Sequence, residues 1–145
     1  MEARIDVITL AVADFERAIA FYRALGLRSP GVTATEFAGD ETHPAGAIAM
    51  FQLANGQILA LYPRTELAKD AGIHSGRAQS GEFSLGHIVA TRGEVEALLA
   101  KAKAAGAPVT ELHDRPWGIY SGYFRDPDGH LWEIIYNPSR TGGDT

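Results

Sequence analysis

The chain has 145 residues, of which 46% are hydrophobic, 18 are acidic and 13 basic for a net charge of −5, and none is cysteine. That is enough apolar material for one compact domain or two small packed modules, while the acidic balance and the lack of any basic run exclude an electrostatic footprint for nucleic acid or an anionic membrane. Without cysteine there are no disulfides, thiolate ligands or cysteine nucleophile, so any metal would rest on His and carboxylates.

Ile5 to Val12 alternates β-branched and small residues and reads as a strand. Asp14 is the expected N-cap of a helix, DFERAIAFYRALGL, whose apolar stripe runs through Phe15, Ala18, Ile19, Phe21, Tyr22 and Leu25 until Gly26 stops it. Gly31 to Phe37, Ala47 to Leu53 and Gln57 to Tyr62 read as three strands, the last two joined at an Asn55-Gly56 hairpin turn. Arg64 to Ala71 suits a short helix, and Gly72 to Gly81 is the best linker in the chain.

The order then repeats. Phe83 to Val89 is strand-like, Glu94 to Ala105 is helical, Gly106 stops it, and Val109 to Leu112 is a short strand. The final hairpin reads WGIYSGYFRDPDGHLWEIIYNP and turns at Asp126-Pro127-Asp128-Gly129. The interval from Asp14 to Gly26 equals that from Glu94 to Gly106, which supports two tandem βαβββ modules at 5–62 and 83–138. Residues 63–82 are the linker with its short helix, and the polar, glycine-rich 139–145 is expected to be a disordered tail. In the last strand Glu133 shares a face with Leu131 and Ile135, an unexpected place for a carboxylate.

A tandem βαβββ chain carrying ITLAVADFERAIAFYRALGL near its start and GYFRDPDGHLWEIIYNP near its end resembles the vicinal oxygen chelate superfamily, which includes glyoxalase I, extradiol dioxygenases, fosfomycin resistance proteins and bleomycin-binding proteins. The resemblance implies an α+β fold in which two curved mixed sheets surround a shared cavity with helices outside, and it implies a homodimer. Metal-dependent members carry His or Glu on the first and last strands of each module. The matching positions are Val7 and Ala60 in the first module, which offer no donor, and Glu133 in the second. For the remaining position two registers are open. The interval from Val7 to Gly26 equals that from His87 to Gly106, which puts His87 in the ligand place; the alternation of FSLGHIV instead turns His87 away with Phe83, Leu85 and Val89 and gives the place to Ser84.

Two ligands fall short of the three that a catalytic mononuclear site uses, so no cofactor is expected, and a divalent metal would have only His87 and Glu133. Glu133 is then either a structural acceptor for a Tyr hydroxyl or backbone amides, or a partly buried base. Tyr62, Trp117, Tyr120 and Tyr123, with Arg64, His87 and Glu133, form the candidate ligand-binding set, although aromatics in strands more often build core. Arg125, like Arg64, is a candidate anchor for an anionic group. His43, His74 and His113 read as surface residues and His130 as part of the turn.

The leading expectation is a metal-independent small-molecule-binding protein of the bleomycin-resistance type that holds an apolar or aromatic ligand. Alternatives are a metal-dependent glyoxalase-like lyase, isomerase or dioxygenase using Glu133 and His87, and a metal-free isomerase or lyase with Glu133 as base. No stretch reaches the roughly 20 apolar residues that span a bilayer, and the N-terminal residues lack the regions of a signal peptide; the expected location is the cytoplasm.

Overall fold

The computed structural model of the chain describes residues 1–140. Contacts divide the chain into two compact units, Met1–Ala78 and Gln79 onward.

In the first unit β1 (Val7–Val12) leads into α1 (Phe15–Ala24), followed by β2 (Val32–Thr33), β3 (Ile48–Gln52), β4 (Ile58–Pro63) and α2 (Arg64–Ala71). Asp14 caps α1 as its sequence position predicts: its Oδ1 accepts the amides of Glu16 at 2.9 Å and Arg17 at 3.4 Å. Gly26, at φ +102°, takes the left-handed conformation that ends the turn. The sheet runs β1-β4-β3-β2, with β1 parallel to β4 and the other pairs antiparallel. Alternation puts Leu10, Val12, Phe51, Leu59 and Leu61 on one face, all buried, where α1 covers them and Tyr22 meets Phe51 at 5.8 Å between ring centroids. The opposite face carries Val7, Thr9, Met50, Gln52, Ala60 and Tyr62.

The second unit repeats the pattern with β5 (Leu85–Val89), α3 (Arg92–Ala104), β6 (His113–Asp114), β7 (Tyr120–Arg125) and β8 (Leu131–Tyr136). Its sheet runs β5-β8-β7-β6, with β5 parallel to β8. Helix α3 begins two residues before the expected Glu94 because Thr91 and Glu94 form a capping box. Val95, Leu99 and Ala102 are the buried residues of α3. A side chain at Gly122 would bring its Cβ to 2.6 Å from Leu99 Cδ1, so glycine lets the helix close on β7. Phe124 and Trp132, paired across the hairpin, stack at 6.0 Å with planes 5° apart. The fold is therefore α+β, two four-stranded mixed sheets with three helices among the described residues.

Two expected strands change. Gly31 to Phe37 contracts to Val32–Thr33, because Ala34 turns to φ +58° and Phe37 and Gly46 close a loop. That loop is tied down from afar: the Ala45 amide donates to Glu66 Oε1 at 2.8 Å, the Tyr62 hydroxyl donates to the Ala45 carbonyl, and Lys69 Nζ donates to the Asp40 carbonyl at 2.8 Å. Val109 to Leu112 keeps one bridge, Val109 with Phe124, and the strand moves to His113–Asp114. Thr110 accounts for the break, since its hydroxyl, in place of a backbone carbonyl, accepts the Tyr123 amide at 2.9 Å. At the chain's end Asn137 and Arg140 bridge a turn, while residues 141–145 of the expected tail lie outside the described residues.

Candidate functional site

The turn between β7 and β8 is built as its sequence dictates. Asp126 Oδ1 accepts the amides of Asp128 and His130, each at 2.9 Å, the Gly129 amide donates to the Asp126 carbonyl at 3.0 Å, and Gly129 sits at φ +82°. Arg125 Nη1 then donates to the carbonyls of Gly129 at 2.6 Å and Ser80 at 2.7 Å, fastening the turn to the segment before β5. This rigid turn fixes the register of β8.

That register decides which side chains share a face. Glu133 pairs with Tyr123 on one side and Gly86 on the other, while Ile134 pairs with Gly122 and His87. Because Gly122 faces Leu99 of α3, the Ile134 row faces the helix and the Glu133 row faces away from it. Glu133 is half-buried there and faces Tyr123 across the rung. Burial is the main cause that pushes the Tyr123 hydroxyl above the usual tyrosine pKa; the nearby Glu133 carboxylate adds to it, and Arg115 opposes it. Beside this row opens a recess of about 320 Å³, lined by Pro108, Val109, Thr110, Tyr123, Phe124, Arg125 and Leu131.

A family profile described as the Glyoxalase/Bleomycin resistance protein/Dioxygenase superfamily matches residues 4–134. The chain belongs to this superfamily. A glyoxalase-related enzyme from Fulvimarina pelagi is 30% identical, with a TM-score of 0.78 over 99% of this chain and 95% of that one. The lactoylglutathione lyase of Agrobacterium tumefaciens is 24% identical with a TM-score of 0.63, over 93% of this chain and 94% of that one. The fosfomycin resistance protein FosX of Listeria monocytogenes is 19% identical with a TM-score of 0.68, over 94% of this chain and 95% of that one. At these last two identities the likeness is one of fold. No curated protein matches the chain.

Within the superfamily frame, the sequence-level candidates separate. Tyr123 and Glu133 come together. His87 does not join them: it is exposed and lies on the Ile134 row, so the register counted from the helix stop gives way to the strand alternation, and Gly86 occupies the rung beside Glu133. Ser84 lies just before β5. Tyr120 also turns to the helix side, where its hydroxyl donates to Glu96 Oε1 at 2.9 Å and the Arg92 guanidinium lies 4.0 Å over its ring. Trp117 stands 85% exposed on a tight turn at Pro116–Gly118. In the first unit Tyr62 is on the face away from α1, but its hydroxyl is committed to Ala45, and Arg64 opens α2 with Nη2 donating to the Ala11 carbonyl at 3.3 Å.

Val7 and Ala60 bring no donor atoms, Gly86 brings none beside Glu133, and His87 points to the other face. Among the described residues no group of three or more His, Asp or Glu side chains could hold an ion. Thr110, Val109, Pro108 and Leu131 are lining residues that the sequence did not single out. The signal for Thr110 lay hidden in a segment that reads as strand.

Proposed function

We propose that the chain is a small-molecule-binding protein of this superfamily that works without a metal, holding an apolar or aromatic ligand on the second sheet's face away from α3. The observation that carries this reading is an open, largely apolar recess beside the rung that pairs Tyr123 with Glu133, with no group of three donor side chains for an ion among the described residues. Tyr123 contributes its ring to the recess, and stacking and apolar contact are the main source of affinity.

The test is an NMR-monitored screen of small aromatic compounds against the full chain, with and without chelator. Compounds of this class are expected to move the amides of Thr110, Tyr123 and Leu131 equally in both conditions. A stoichiometric Ni, Zn, Mn or Fe signal that disappears in Glu133→Ala, with binding abolished by chelator, would replace this reading by the metal-dependent enzyme.

A second reading, a metal-free isomerase or lyase with Glu133 as base, draws on the same pair. A half-buried carboxylate paired with Tyr123 beside the recess is placed for proton transfer to a bound ligand. Turnover that falls by orders of magnitude in Glu133→Gln while ligand affinity holds would favour it.

A further inference from the structure

Arg125 does more than fasten the turn. Its Nη1 is spent on two backbone carbonyls, Gly129 at 2.6 Å and Ser80 at 2.7 Å, which holds the planar guanidinium in one orientation. Those are its only protein partners among the described residues, so the edge formed by Nε and Nη2 remains unused, and no carboxylate neutralises the group. This half-buried cation lines the recess next to Tyr123 and Leu131. The carboxylate on the same face, Glu133, pairs across the hairpin with Tyr123, and Arg115 adds a second positive charge near Tyr123. Two arginines, Arg125 and Arg115, thus lie near Tyr123 in a chain of net charge −5.

An Nε–Nη2 edge presents two parallel N–H groups, the geometry that grips a carboxylate or a phosphorus oxyanion with two bonds at once. A guanidinium already immobilised by its other nitrogen loses little further freedom on binding. Beside it, Leu131, Val109, Pro108 and the Tyr123 ring offer an apolar wall. We propose that the recess of the second unit takes a small organic anion, an apolar or aromatic body bearing one carboxylate, phosphate or phosphonate group, and that Arg125 anchors the anion through its Nε–Nη2 edge. This rests on the reading of that face as a ligand site and adds the charge of the ligand.

The experiment titrates the full chain with 2-naphthoate, phenylphosphonate and the neutral 2-naphthalenemethanol, following the amides of Thr110, Tyr123 and Leu131 by NMR. The expected result is that 2-naphthoate binds about tenfold or more tightly than the neutral compound, as a charge-assisted paired bond implies, and that added salt narrows the gap. Arg125→Gln should erase the gap between the anionic and the neutral compound. Because Arg125 also secures the turn, Arg125→Lys serves as the second variant: it keeps the charge but lacks the fork, and the preference should drop by about threefold or more. An undiminished preference in folded Arg125→Lys overturns the assignment to Arg125. If neutral and anionic naphthalenes bind alike at these amides, the anion inference fails while the ligand site stands; if none of the probes moves them, both fall. Phenylphosphonate binding in place of naphthoate would support the proposal and identify the anion as a phosphorus oxyanion.

Discussion

Tyr123 faces Glu133 across one rung of the hairpin, and its hydroxyl, like those of two other tyrosines, is shifted above the usual tyrosine pKa. Burial first, then the charges of Asp70 and Glu66, raise the pKa of Tyr62; the hydrogen bond to Glu96 leads for Tyr120. A folded pKa above the unfolded one adds stability that is complete below the unfolded value of about 10 and is lost as pH rises through the folded value. Alkaline unfolding is therefore expected to begin above pH about 10. Glu133→Gln removes the carboxylate that helps raise Tyr123 and should move that residue's titration down, which tyrosinate absorbance against pH will report; an unchanged titration would mean that Glu133 does not act on Tyr123. Trp117 is a second local test. It is held at φ +63°, a region where a bulky side chain is strained by about 1–3 kcal/mol. Trp117→Gly should raise the thermal midpoint by a few degrees, with a fall instead if the indole makes compensating contacts. Neither feature was legible in the sequence. Alternation brought Glu133 to attention, but its partner across the hairpin depends on a register that one more residue in the turn would have shifted to the opposite face.

Elements were most legible where the deciding interaction is short in sequence. Asp14, Gly26, Asn55-Gly56 and the Asp126 turn act within four residues, and each forms the turn or cap that its chemistry dictates. The loop at 34–46 is the opposite case. Glu66 lies 21 residues from the Ala45 amide it accepts, and nothing in GVTATEF marks that tether. This bond, followed by Lys69, holds the Glu66 pKa below the usual carboxylate value. A depressed folded pKa means stability that is present above the unfolded value and lost as pH falls through the folded one. Amide protection in the loop should therefore fall below pH about 4, and Glu66→Gln should lower it already at neutral pH; equal protection in both proteins would show that Tyr62 and Lys69 secure the loop without Glu66. The sheet and helix of the second unit offer a steric test. Gly122→Ala places a methyl 2.6 Å from Leu99 Cδ1 and should destabilise the protein by about 1–3 kcal/mol, and a second change, Leu99→Ala, should recover part of that loss by making room.

At the scale of the whole molecule, the repeated order of elements was legible because each unit carries the same local punctuation in the same order, and the same sheet order, first-fourth-third-second, appears twice. What the sequence could not supply was the side to which each edge strand turns its residues, and this is what separates His87 from Glu133. Edge strands also bear on assembly. Strands β1 and β5 each pair on one side within their own sheet, and Val7, near Ile5, is half-exposed on the first edge while Phe83 is 55% exposed just before the second. Unpaired backbone edges flanked by apolar side chains are surfaces that proteins cover. On that ground we expect a homodimer at micromolar concentration, about twice the 15.6 kDa of one chain. Sedimentation equilibrium checks this, and a second arm tests its cause: Val7→Lys and Phe83→Lys add charge to these edges without touching either core, so a dimer built on them should weaken by tenfold or more, whereas a monomeric mass in the unmodified protein would remove the assembly altogether.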